Sequence, residues 1–204
     1  MLRYAALCCT ASAQCSVCSA PQTLGHVIGG CAAHLNEGRY TWRHDSIVKN
    51  LADYLRLKEN LCVHADLERY SSPSVVTGDD LRPDIVVIKG KLLYILELTV
   101  GFETNISKNA ERKEQKYADL IENLQGRCEQ NKYEKVLFVN LSIGALGIIG
   151  KESHNLKTML QELGLSKSEE DYIVKKLINV CMRCTYFLFC KKDSDWPETE
   201  LLSW

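Results

Sequence analysis

The 204-residue sequence has no run of eighteen uncharged apolar residues, so no segment is suited to span a bilayer as a helix. It has no excess charge of one sign: 25 Lys and Arg stand against 26 Asp and Glu, a formal net charge of −1. That balance excludes a polycation coating nucleic acid by bulk charge, but not a nucleic-acid enzyme with a local basic face. Internal repeats and low-complexity stretches are also missing. With 46% apolar and 25% charged residues, the composition excludes a disordered or collagen-like chain. The length suits one domain, or one domain with a small appendage.

Cysteine, by contrast, is plentiful. Ten cysteines in a chain long enough to bury its own core read as free thiols in a reducing compartment, not as a disulfide framework. Cys62, Cys128 and Cys181 sit in apolar or helical contexts, where buried thiols are expected. Met1 to Ala13 imitates a signal peptide, with one Arg, a short apolar stretch and an Ala11-Ser12-Ala13 end. The apolar part is brief and broken by polar residues, so the expectation is an intracellular protein.

Four of the cysteine and histidine residues form a metal knuckle. Cys15 and Cys18, two residues apart, can grip one tetrahedral zinc from a tight turn, and His26 and Cys31 close a Cys3His shell. His34 is a spare imidazole that could replace either of the last two. Four ligands leave no open position, so this zinc is expected to be structural. Cys181 and Cys184 repeat the two-residue spacing, followed by Cys190, but without a histidine nearby they read as core thiols.

The chemistry is expected elsewhere. Asp84 opens a β-branched run, Ile85 to Ile88, that reads as a buried strand; Lys89-Gly90-Lys91 is a turn, and Leu92 to Val100 the returning strand. Glu97 lies inside that second strand between Leu96 and Leu98. A carboxylate in an apolar strand is costly unless it is paired or binds a cation. Placed across the hairpin from one another, Asp84 and Glu97 suit a hard divalent ion, with Mg2+ the usual choice for phosphate chemistry. From Asn105 to Gly126, the positions Ile106, Ala110, Tyr117, Leu120 and Leu124 form one helical stripe. Continuing the stripe through its gap lands on Lys113, flanked by Arg112 and Lys116, so a lysine faces the sheet that carries the carboxylates.

These residues resemble a known family. Arg82-Pro83-Asp84, twelve residues to Glu97, and a basic residue displaced onto the next helix are similar to the PD-(D/E)XK nuclease pattern. More narrowly, they resemble the restriction-like endonuclease domain of site-specific non-LTR retrotransposons, which carries a CCHC knuckle just before the nuclease. The likeness takes in Tyr40 to His44, Glu97 to Val100 with Glu103, Arg112-Lys113 with Lys116-Tyr117, the glycine-rich Ile143 to Gly150, and Tyr186 to Trp196. The lysine expected two residues after the acid is replaced by Thr99. The resemblance therefore implies a migrated amine, on Lys113 or Lys116.

What the resemblance implies is an α/β fold with a mixed sheet flanked by helices. The knuckle would occupy residues 1–36 and the nuclease 37–204. The implied activity is a Mg2+-dependent nick in a nuclear DNA target that primes reverse transcription. Element RNA and a reverse transcriptase domain would be partners, and no polymerase sequence is present in this chain. Arg39, Arg43 and His44, beside the knuckle, and Arg82, before Asp84, are the candidate DNA contacts, positioning phosphates without reading sequence. The rival expectation is a non-catalytic nucleic-acid-binding module on a degenerate nuclease core. A junction or repair nuclease of the same superfamily is a third, which the attached knuckle disfavours.

The remaining elements fit one core. Thr41 to Lys58 has helical period, Asn60 to Leu67 and Glu134 to Leu141 read as strands, and Ile143 to Gly150 as a glycine-punctuated loop. Ser153 to Leu163 and Ser166 to Val180 read as helices, the second opened by a Ser166–Glu169 capping box.

Overall fold

The structure, a computed structural model, describes residues 14–129, 133–197 and 199–202. The signal-like Met1 to Ala13 stretch, with Cys8 and Cys9, lies outside the described residues. The expected strands and helices form a mixed α/β fold around a four-stranded sheet. In chain order the elements are α1 (Ala32–Asn36), α2 (Arg39–Arg56), β1 (Cys62–Ala65), α3 (Ser74–Thr77) and β2 (Ile85–Lys89). There follow β3 (Leu92–Gly101), α4 (Ile106–Glu129), β4 (Lys135–Gly144), α5 (His154–Glu162) and α6 (Lys167–Cys190). Gly38, at φ +73°, turns the chain from α1 into α2 in the left-handed region that glycine tolerates without a Cβ penalty.

The strands stand in sequence order, β1-β2-β3-β4. The first two pairings are antiparallel, and β3 with β4 is parallel. A hairpin needs only the Gly90 turn, at φ +58°, whereas the parallel pair needs the long α4 crossover. Successive side chains on β3 alternate between the two faces. Tyr94, Leu96 and Leu98 join the larger core with Ile47, Leu51 and Leu55 of α2 and Ile173, Leu177 and Val180 of α6. Leu93 and Ile95 point the other way, onto Tyr117, Leu120 and Leu124 of α4. Glu97 shares that second face.

Several element ends shift by one to three residues from expectation and the end of α6 by more; the ends of β4 and α6 have an identifiable cause. β4 continues through Ser142 to Gly144, because a parallel ladder from Leu92↔Lys135 to Gly101↔Gly144 pairs its whole length with β3. α6 continues past Val180 to Cys190, since Val180, Cys181, Cys184 and Leu188 keep a buried stripe at helical spacing. Its capping box forms as expected, with Ser166 N–H donating to Glu169 Oε2 at 2.8 Å. Cys181 and Cys184 are core thiols, and the eight cysteines among the described residues are free. Cys62 is exposed, at the start of the edge strand β1, rather than buried; Cys128 is half-buried. Among the described residues no helix is long and apolar enough to cross a membrane.

Candidate functional site

The N-terminal knuckle is built by the Cys15-to-Cys18 turn and the helical turn His26–Gly30. Ser19 N–H donates to the Cys15 carbonyl at 2.9 Å, closing the first turn so that both thiols face inward. The ligand atoms of Cys15, Cys18, His26 and Cys31 all lie within 4.8 Å of one another. Cys18 Sγ stands 3.2 Å from His26 Nε2, and Cys31 Sγ 3.7 Å from Cys18 Sγ and 4.0 Å from Cys15 Sγ. Tetrahedral zinc, with Zn–S bonds near 2.3 Å, places sulfurs about 3.8 Å apart, so the cluster could hold a zinc ion. The Cys15 thiol is drawn down to about 7: burial opposes the shift, but the Val17 backbone hydrogen bond and the His26 side chain outweigh it. His34 is not part of the cluster. It is buried, with Nδ1 3.3 Å from the Val27 carbonyl and Nε2 3.0 Å from the Lys192 carbonyl. Tyr40 on α2 anchors the knuckle, its hydroxyl donating to Val27 O at 3.0 Å and accepting from Cys31 N–H at 3.0 Å.

The second group sits at one end of the β2–β3 hairpin. The register pairs Ile85 with Leu96, so Asp84 and Glu97 stand opposite one another. They are tied reciprocally: Asp84 N–H donates to Glu97 Oε1 at 3.0 Å, and Leu98 N–H donates to Asp84 Oδ2 at 2.7 Å. Lys113 reaches down from α4 onto both. Its Nζ lies 2.6 Å from Glu97 Oε2, 3.2 Å from Asp84 Oδ2 and 2.5 Å from the Leu98 carbonyl. Three oxygens from three residues thus surround one cation position, filled here by an ammonium.

From the α2 side, His44 Nε2 lies 3.1 Å from Asp84 Oδ2, while its Nδ1 lies 2.9 Å from Asp45 Oδ1. His44, expected as a DNA contact, is therefore part of the carboxylate cluster. Of the two candidate lysines, Lys113 meets the carboxylates. Lys116 is exposed, its amine 3.0 Å from the Tyr117 hydroxyl, which in turn donates to the Arg82 carbonyl at 2.9 Å.

The cluster splits its carboxylates electrostatically. Burial opposes ionisation of Asp84, but His44 and Lys113 outweigh it and hold the carboxyl well below the usual range. Glu97, more deeply buried, is pushed up by desolvation and by the Asp84 charge. Burial works to lower Lys113 and His44; the facing carboxylates win in both cases, raising Lys113 and lifting His44 to about 9. At neutral pH the site thus holds an imidazolium and an ammonium against the carboxylates. Two carboxyl groups whose surroundings push them apart are a recurring mark of acid–base sites.

Arg39 and Arg43 are not surface groups. Arg39 is fully buried, donating to the Lys191 carbonyl at 2.6 Å and the Ser194 carbonyl at 2.8 Å. Arg43 donates to the Ile28 carbonyl at 2.9 Å and to Thr185 Oγ1 at 3.1 Å. Both guanidiniums brace the knuckle and chain end against α2, which removes them as DNA contacts. Arg82 remains exposed, 3.3 Å from Asp66.

Beside Glu97 runs a polar strip, of which sequence reading marks only Thr99: Thr99 on β3, and Asn140 and Ser142 on β4, all buried. The register pairs Glu97 with Asn140 and Thr99 with Ser142. Ser142 Oγ donates to Asn140 Oδ1 at 3.0 Å, while Thr99 Oγ1 and Asn140 Nδ2 are buried without a hydrogen-bond partner among the described residues. Alternate polar residues at 140 and 142 in an otherwise apolar strand were the available signal.

Known protein families and curated proteins contain no match to this chain.

Proposed function

We propose that the chain is a divalent-metal-dependent DNA endonuclease of the PD-(D/E)XK type, centred on Asp84, Glu97 and Lys113. The observation that carries this reading is the oxygen cage around the Lys113 ammonium. Two carboxylates and a carbonyl are the hard donors that Mg2+ accepts, with waters and substrate phosphate completing its shell. Asp84, Glu97 and the Leu98 carbonyl would hold the ion, which when bound polarises the scissile phosphate and lowers the pKa of the attacking water.

An ion held there would displace the Lys113 ammonium, which on its flexible α4 stem would offset the charge that grows on the phosphate in the transition state. His44, held cationic by Asp45, keeps Asp84 ionised and oriented. The resemblance extends this reading to a nick in nuclear DNA that primes reverse transcription by a polymerase and element RNA outside these residues. It also assigns the knuckle a structural zinc.

The test is nicking of supercoiled plasmid by the zinc-loaded chain with and without Mg2+. The expected result is Mg2+-dependent relaxation that falls to background in Asp84→Asn and Glu97→Gln. Lys113→Ala should slow it by about 10²–10³-fold while Lys116→Ala stays near wild type. One observation favours a second reading, a non-catalytic binding module: Lys113 and His44 already satisfy both carboxylates as a closed ion-pair network. Retained DNA binding without any nicking would select that reading instead.

A further inference from the structure

With Arg39 and Arg43 buried, the cations available to a polyanion lie elsewhere. Their distribution along α6 is lopsided. From residue 172 to its end at Cys190 the helix contains three cations, Lys175, Lys176 and Arg183, and no Asp or Glu; Lys191 and Lys192 follow it, the latter paired with Asp193. The acids of this helix are confined to its first turns, where Lys167 engages Glu170 and Asp171.

The same helix exposes aromatic rings on its outer face: Tyr172 at 55%, Tyr186 at 71% and Phe189 at 39% of their surface. At 100° per residue, Tyr172, Lys175, Lys176, Arg183, Tyr186 and Phe189 fall on one side of the helix. Aromatic rings therefore flank a run of basic residues along a single stripe about 26 Å long. Lys176 Nζ stands 5.9 Å above the Tyr172 ring. Next to the stripe a groove of about 840 Å³ runs between α6 and the Thr199–Leu202 segment, with the rings of Trp42 and Phe187 in its wall and Lys175 and Arg183 among the described residues that line it.

We infer that this face of α6 binds single-stranded nucleic acid. Stacking platforms interleaved with cations are what a flexible strand with exposed bases requires. A duplex hides its base faces and would find only the charge. Lys175 and Arg183 in the groove lining, with Lys176 beside them on the stripe, give this face the charge complementary to a phosphate backbone. The surface lies on the α6 side of the sheet, whereas Lys113 and Glu97 meet on the α4 side, so the inference stands apart from the proposed hydrolysis.

The test is fluorescence anisotropy of the full zinc-loaded chain in Mg2+-free buffer, with labelled oligothymidylate and oligouridylate 12-mers and a duplex of equal length. The expected result is binding of a single strand in preference to the duplex. Tyr186→Ala should weaken it about tenfold, with Tyr186→Phe restoring it, because stacking needs the ring and not the hydroxyl. Lys175→Glu with Lys176→Glu should weaken it further and flatten its salt dependence. Asp84→Asn should leave it unchanged, which separates this surface from the carboxylate site. Deoxy- and ribo-oligomers distinguish a DNA strand from an RNA as the natural ligand. Equal affinity for duplex, or indifference to both the tyrosine and lysine changes, would overturn the inference. So would a Tyr186→Ala variant that dissociates an oligomer in light scattering without altering oligonucleotide binding, since that assigns the face to protein contact.

Discussion

At position 99, on the same strand face as Glu97 and two residues beyond it, stands a threonine. The amine that reaches the carboxylates comes from Lys113 instead. Its neighbourhood explains why His44 is held as a cation between Asp45 and Asp84. A histidine raised to about 9 in the folded chain contributes stability that is fully present below its unfolded value, near 6.5. That stability is lost as the pH rises through the folded value. Thermal melting of the Mg2+-free protein should therefore show a larger loss between pH 7 and 10 in wild type than in His44→Gln. The difference should be roughly 2–3 kcal/mol, and parallel losses would contradict it.

His44 and Arg43 also show where single residues escape sequence reading. They are neighbours on α2, about 100° apart, and both pass for a solvated, basic helix start. Only the packing of the knuckle and α6 against that helix separates them, sending Arg43 inward to Thr185 and His44 to Asp84.

Elements were more legible than residues, because each carries a periodic pattern. The three- and four-residue spacing of α4 points Lys113 toward the sheet, and the structure puts its amine there. The hairpin register set Asp84 against Glu97 for the same reason. β4 was misread at its end because Gly144, Gly147 and Gly150 look like loop punctuation. A parallel partner nonetheless holds the strand straight through Gly144.

The knuckle is the element whose local structure a zinc ion, which its cluster could hold, would support most. It has few apolar anchors of its own, chiefly Val27 and Ile28 packed on Ala145 and Phe102. Removing zinc with a chelator should lower the melting temperature and expose Cys15, Cys18 and Cys31 to alkylation. Cys181 and Cys184 should stay unlabelled at pH 8, since burial pushes their thiols up to about 11 and 12. Mass spectrometry of the alkylated chain reads both sets at once. Equal labelling of the three knuckle thiols with and without metal would contradict a zinc site.

For the molecule as a whole, a formal net charge of −1 conceals segregation. Carboxylates and two cations form a closed cluster at the end of the β2–β3 hairpin, while Lys175, Lys176 and Arg183 gather on another side, beyond the acids of the first turns of α6. Neither distribution is visible in composition, since both arise from which faces the sheet and helices cover. The proposed hydrolysis requires that the oxygens around Lys113 form a cation site and not a self-contained ion-pair network. Calorimetric titration of the zinc-loaded chain with Mg2+ measures this directly. The prediction is one Mg2+ site per chain, lost in both Asp84→Asn and Glu97→Gln while their folds persist. Absence of Mg2+ binding in wild type, or a site that survives both substitutions, would contradict it.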